Sequence, residues 1–153
     1  MIRKIHNLII LFFLLSACGY NPIFSEGSKF SLSSIDLEGD KTINRVIYGK
    51  LYSFSENKNA GKKYKLKVKS VSSKKIASKD TKGNLDKFNL NVIATLQLED
   101  INKNVIEKSF SKNITYNNMA NKFDLSKYER SAKINFAEKI SEEIIIFIQS
   151  LQQ

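Results

Sequence analysis

The chain has 153 residues, one cysteine, one histidine, no tryptophan and a net charge of +10 at neutral pH. That length allows one modest hydrophobic core and not two. A lone cysteine excludes an internal disulfide, and with a single histidine beside it the usual Cys and His zinc sites are excluded too.

The chain opens on a short positive segment, Met1, Arg3, Lys4 and His6, followed by Leu8 to Leu15 (LIILFFLL), an apolar run without charge or glycine. This is the pattern of a signal-peptide core. It is too short to cross the roughly 30 Å hydrocarbon layer, which takes about 20 helical residues. Leu15-Ser16-Ala17-Cys18 then resembles a bacterial lipoprotein box. The resemblance implies that residues 1–17 are a signal peptide, that the Cys18 thiol takes a diacylglyceryl group, and that the new amino terminus is acylated. Loss of Arg3, Lys4 and His6 would lower the net charge to about +8 and leave no histidine and no free thiol. Catalysis by an imidazole base or a thiolate is thereby excluded. Several acyl chains together hold a protein firmly to a bilayer, where one holds it only reversibly. The residue after the cysteine is Gly19; by the sorting rule of bacterial lipoproteins, in which aspartate at that place retains the protein in the inner membrane, the outer membrane is the implied destination.

Residues 18–31 (through GYNPIFSEGSKF) have no stable period and are expected to form a lipidated tether, and residues 32–153 a single domain. Leu32, Ile35 and Leu37 mark a short extended segment closed by Gly39-Asp40. Ile43, Val46, Ile47 and Leu51 fall on one helical face, with Thr42 or Asp40 as candidate caps and Gly49 as a mild weakness. After the polar linker SENKNAGKK, Tyr64, Leu66 and Val68 alternate with Lys65, Lys67 and Lys69, so that a strand presents one apolar and one basic face. The stretch SKDTKGN is a turn. Phe88, Leu90, Val92, Ala94, Leu96 and Leu98 then occupy every second position of a long strand, with Asn89, Asn91, Ile93, Thr95 and Gln97 between them. Glu99 to Asn104 reads as a hairpin connection. Ile106, Phe110, Ile114 and Tyr116 line a further strand whose same face also carries Lys108 and Lys112, which obscures its register. A long amphipathic helix of about 25 residues is expected from Ser126, with Glu129 completing a capping box. Ala132, Phe136, Ile140, Ile144, Phe147, Ile148 and Leu151 form its apolar stripe, widened by Ile134, Ile145 and Ile146. Lys139, Glu142 and Glu143 interrupt it and argue against a membrane span.

One strand, a short helix, a three-strand meander and a long helix each need to hide one apolar face. The economical solution is a two-layer α+β sandwich: a four-stranded, mainly antiparallel sheet with a short and a long C-terminal helix beside it. The lipoprotein box followed by Gly19-Tyr20-x-Pro22-x-Phe24, ahead of this order of elements, resembles the LptE family of lipopolysaccharide-assembly lipoproteins. That resemblance implies two helices on a four-stranded sheet. It further implies an outer-membrane, lipid-anchored protein without catalysis or cofactor, placed inside the lumen of the LptD β-barrel or facing the periplasm. There it plugs and helps assemble the barrel and assists delivery of lipopolysaccharide to the cell surface.

Independently of the resemblance, lysines on a solvated strand face suit the phosphates of an anionic amphiphile such as lipopolysaccharide. The candidates are Lys65, Lys67 and Lys69, then Lys74 and Lys75, then Lys62 and Lys63; ordinary solubilising charge, which also discourages edge pairing, is the competing account. Nucleic acid suits the net charge but not an exported, lipidated domain whose aromatics alternate onto the apolar face. Asp36, Glu38 and Asp40 share a short segment in which paired carboxylates could cleave glycosides; with all three expected on one strand face and no pocket evident, exposed polar filler is the simpler reading. A structural lipoprotein subunit of another envelope complex is the alternative to the LptD partnership.

Overall fold

Residues 30–55 and 60–152 are described by a computed structural model. The signal peptide, Cys18, Gly19, Tyr20, Pro22 and the tether as far as residue 29 lie outside the described residues. The elements are β1 (Phe30–Gly39), α1 (Lys41–Leu51) with a 3-10 turn at Tyr52–Phe54, β2 (Lys62–Lys79), β3 (Leu85–Asp100), β4 (Val105–Asn117) and α2 (Lys122–Ser150). They build the expected two-layer α+β sandwich. The sheet order is β1-β2-β3-β4, with β1 parallel to β2 and the other two pairs antiparallel. A parallel pair needs a crossover, and α1 supplies it.

Strict alternation decides which face each residue takes. Tyr64, Leu66 and Val68 of β2, Leu90 to Leu98 at every second place of β3, and Phe110 of β4 are buried on the helix side. Against them pack Ile43, Ile47 and Leu51 of α1 and Ala137, Ile140, Ile144, Ile145 and Ile148 of α2. Ser141 is fully buried within this stripe, and its hydroxyl donates to the Ala137 carbonyl at 2.6 Å. A smaller cluster of Phe88, Leu90, Tyr116 and Leu125 closes the far end. Among the described residues no helix is long and apolar enough to cross a membrane.

Three expectations change. β1 takes in Phe30 and Ser31, placed in the tether by the sequence reading, because the Phe30 ring is fully buried and stacks on Phe54 at 4.8 Å. α2 begins four residues before Ser126: Asn121 is the cap, accepting from the Phe123 amide at 2.9 Å, and burial of Leu125 draws the first turn onto the sheet. Glu129 closes no capping box, since its carboxylate faces Tyr116 and Lys74 instead. Lys108 and Lys112, for their part, do not disturb the register; β3 and β4 pair without a shift from Glu99↔Val105 to Lys87↔Asn117. Both lysines leave the core by their long stems. Lys112 pairs with Glu143, and the Lys108 ammonium lies 4.2 Å from the Phe147 ring centroid.

Gly39 is the tightest point of the backbone. Its φ is +103°, and a Cβ there would lie 1.9 Å from the Ser70 carbonyl oxygen of β2. Left-handed strain and a backbone clash would act together. Gly39→Ala is therefore expected to lower stability by more than about 2 kcal/mol, read as a fall in the urea midpoint at unchanged slope.

Candidate functional site

The open face of the sheet carries Lys65, Lys67 and Lys69, as alternation requires, but with partners in reach. Lys65 Nζ lies 3.3 Å from Glu99 Oε1 and Lys67 Nζ 2.8 Å from Glu38 Oε1. The hydrogen bond from Lys67 holds the Glu38 carboxyl below its ordinary range, and the same bond raises Lys67. Asp36 stands opposite Lys67 in the register, so this half of the face has mixed charge. Asp40 does not share a face with Asp36 and Glu38, which corrects the sequence reading: it caps α1 on the helix side. Lys75 lies on the open face. Lys74 lies on the other, 2.6 Å from Glu129 Oε1 and 3.9 Å from the Phe88 ring centroid. Lys62 donates to the Leu151 carbonyl at 2.9 Å, and Lys63 is exposed beside it. The candidate lysines thus do not form one patch.

The structure assembles a different basic surface, at the end of the sheet away from the start of β1. The β2–β3 hairpin brings Lys75, Lys79, Lys82 and Lys87 to it, and the first turns of α2 bring Lys122 and Lys127, all exposed. The two elements are tied where the Asn118 amide donates to the Asp86 carbonyl at 2.6 Å and Asn118 Nδ2 donates to the Leu85 carbonyl at 3.0 Å. Apolar groups stand among the lysines, with Phe123 74% and Ile76 55% exposed. The acids here are partly committed. Asp80 accepts from the Lys82 and Asn84 amides and from Asn84 Nδ2, which lowers its pKa, and Asp86 accepts from Ser78. Asp124, beside Phe123, is an exposed acid of this end. Lysines in excess around exposed apolar side chains, with Asp80 and Asp86 engaged by donors of the hairpin, suit an anion that carries an aliphatic or aromatic body. Sequence reading passed over Lys79, Lys82 and Lys87 because they sit in or beside a turn motif, where lysine is unremarkable.

Three polar links hold α2 over the sheet. Glu129 accepts from Lys74 and from the Tyr116 hydroxyl at 2.7 Å; burial and that bond to a carboxylate both raise the tyrosine pKa. For Glu129 burial acts upward, but the Lys74 and Tyr116 bonds outweigh it and the pKa is lowered. Lys112 pairs with Glu143. Asp40 is the most connected group: its Oδ1 caps α1 by accepting from the Thr42 and Ile43 amides, while its Oδ2 accepts from Ser72 at 2.7 Å and Lys133 at 3.1 Å. Burial would raise its pKa; the bonds from Ser72, Lys133 and Ile43 prevail and bring it down to about 2.

The fold is one shared with bacterial lipoproteins of known structure. Rare lipoprotein B from Shewanella oneidensis superposes with a TM-score of 0.57 over 78% of this chain and 99% of its own, at 12% identity. The minor lipoprotein from Acinetobacter baumannii gives 0.59 over 82% and 93%, at 17% identity. Uncharacterized lipoprotein B from Nitrosomonas europaea gives 0.55 over 82% and 88%, at 10% identity. At such identities the likeness is one of fold. No family model matches this sequence, and no curated protein matches it.

The Asp40 carboxylate stabilises the fold fully above its unfolded value near 3.8, and this contribution is lost as pH falls through about 2. Asp40→Asn keeps a cap but removes the charge. It should cost on the order of 1–2 kcal/mol at pH 7 and flatten the decline of stability between pH 4 and pH 2, measured by urea unfolding across that window.

Proposed function

We propose that this protein is an outer-membrane lipoprotein of the LptE kind, anchored through Cys18, that occupies the lumen of an LptD-type β-barrel and assists its assembly and the passage of lipopolysaccharide. The observation that carries this reading is the lipoprotein box with Gly19, Tyr20 and Pro22 directly ahead of a fold that solved bacterial lipoproteins share. The role is non-catalytic: binding, positioning and occlusion. Lipopolysaccharide is anionic at its phosphates and apolar at its acyl chains. The basic end with Phe123, Ile76 and Lys75 offers both kinds of contact; of the other candidates Lys69 adds charge on the open face, while Lys65, Lys67 and Lys74 are paired with carboxylates.

Isolation of the native protein from outer membranes in mild detergent, followed by mass spectrometry of stoichiometric partners, is expected to recover a large β-barrel. A different envelope complex in its place would refute the LptD partnership and favour the alternative of a structural subunit elsewhere. For lipid binding, Lys82→Glu with Lys87→Glu should weaken lipopolysaccharide affinity about tenfold, which is about 1.4 kcal/mol. The paired Lys65→Glu with Lys67→Glu should weaken it less, because both lysines already face carboxylates. Titration of the purified variants against labelled lipopolysaccharide separates the two.

A further inference from the structure

The two hairpin turns of the meander are built alike and differ at one informative place. In Asp80-Thr81-Lys82-Gly83-Asn84 the Asp80 carboxylate accepts from the amides two and four residues on and from the Asn84 side chain. In Asp100-Ile101-Asn102-Lys103-Asn104 the Asp100 carboxylate does the same with Asn102 and Asn104. The fourth residue has positive φ in both, +83° at Gly83 and +65° at Lys103. The second residue, which the turn geometry leaves outside, is Thr81 in one and Ile101 in the other.

Ile101 is 80% exposed and is flanked by exposed Val105 and Ile106. Turn geometry does not require an isoleucine there, since threonine serves in the matching turn. The Asp100 carboxylate keeps its charge but is held against its own turn by the Asn102 and Asn104 donors, and Lys103 is the cation at the tip. The position of the tip in the fold is equally specific. Tyr64 pairs with both Asp100 and Leu32, and Lys62 pairs with Phe30, so the β3–β4 tip lies at the same end as the start of β1. From Cys18 to Phe30 is twelve residues, which reach at most about 43 Å when fully extended. β2 alone, at 18 residues, runs about 60 Å. An anchor at Cys18 therefore keeps the Ile101 end within about 43 Å of the bilayer, while the Thr81 end is free to stand a strand's length further off.

We propose that the β3–β4 tip is a membrane-contacting element, in which Ile101, Val105 and Ile106 enter the boundary between headgroups and acyl chains while Lys103 meets headgroup phosphates. This rests on the lipid anchor of the proposed function and not on the barrel: it describes the anchored protein on the bilayer before it enters the lumen, where the barrel wall would part the tip from lipid. The apolar groups at the opposite end, Phe123 and Ile76, lie away from the anchored end and belong to the basic surface already described.

The chain has no tryptophan, so one introduced indole is a clean probe. Ile101→Trp and Thr81→Trp are each made in the full, processed lipoprotein and reconstituted into phosphatidylethanolamine and phosphatidylglycerol vesicles carrying brominated acyl chains. The expected result is strong quenching and a blue shift for the probe at 101 and neither for the probe at 81. Equal quenching of both probes, or of neither, overturns the tip as the contact. Both positions are exposed, and a melting curve confirms that each variant folds. The mass of the amino-terminal peptide reports separately whether Cys18 is lipidated. Lipidated protein with an unquenched probe at 101 refutes the tip and leaves the anchor standing. An unmodified Cys18 refutes the anchor, and the tip then stands or falls on quenching when the unlipidated chain is added to the same vesicles.

Discussion

The Asp40 carboxylate caps α1 with one oxygen and receives Ser72 of β2 and Lys133 of α2 with the other. Beside it, Gly39 passes so close to the Ser70 carbonyl that no side chain fits. One junction thereby fixes where β1 stops, where α1 starts, how both sit against β2, and where the long helix crosses. The parallel β1–β2 pair has no short turn to set its register, unlike the two antiparallel hairpins. It depends on this crossover, and the crossover depends on a group that must remain ionised while largely withdrawn from water.

From that arrangement follows a molecule with two unlike ends. The meander runs the length of the sheet, so its two turns lie far apart, and α2 returns over it from the lysine-rich end to the end where β1 begins. The long helix is itself charged in an uneven way, with Lys122, Lys127, Arg130 and Lys133 against Asp124 and Glu129 in its first half, and Glu138, Glu142 and Glu143 against Lys139 in its second. This opposes the helix dipole, which favours acids at the start and bases at the finish. Helix stability does not account for the pattern, but tertiary pairing accounts for part of it: Lys133 meets Asp40 and Glu143 meets Lys112 across the layers.

Much of this was legible in the sequence, because period-two and period-3.6 patterns report burial directly. Phe88 to Leu98 could be read as a one-faced strand from alternation alone, and Ile43, Ile47 and Leu51 as a helix face. What stayed hidden has a common cause: long side chains that begin inside and end outside. Lys74, Lys108 and Lys112 occupy the helix side of the sheet yet place their ammonium groups on Glu129, over Phe147 and on Glu143, so Lys108 and Lys112 looked like breaks in a pattern that was in fact continuous, and Lys74 looked like a lysine of the solvated face. The start of α2 was hidden for another reason: Ser126 and Glu129 satisfy a local capping rule, but burial of Leu125 and the non-local pull of Tyr116 and Lys74 decide the outcome. The basic end was invisible for want of topology, since Lys82 and Lys122 are forty residues apart in the chain and share a surface only after β4 returns.

The open face of the sheet holds one more implication. Most of its cross-strand contacts are polar, with Asn89 donating to Thr115, Thr95 bonded to Ser109 and Gln97 donating to Glu107, and between them Val71 and Ile93 form one exposed apolar pair. Among the described residues no buried side-chain nitrogen or oxygen lacks a partner. The polar groups of the interior are thus paired within the chain itself, and the uncovered face, apart from Val71 and Ile93, tolerates water as readily as a polar wall. Whatever comes to lie against that face need not complete the core.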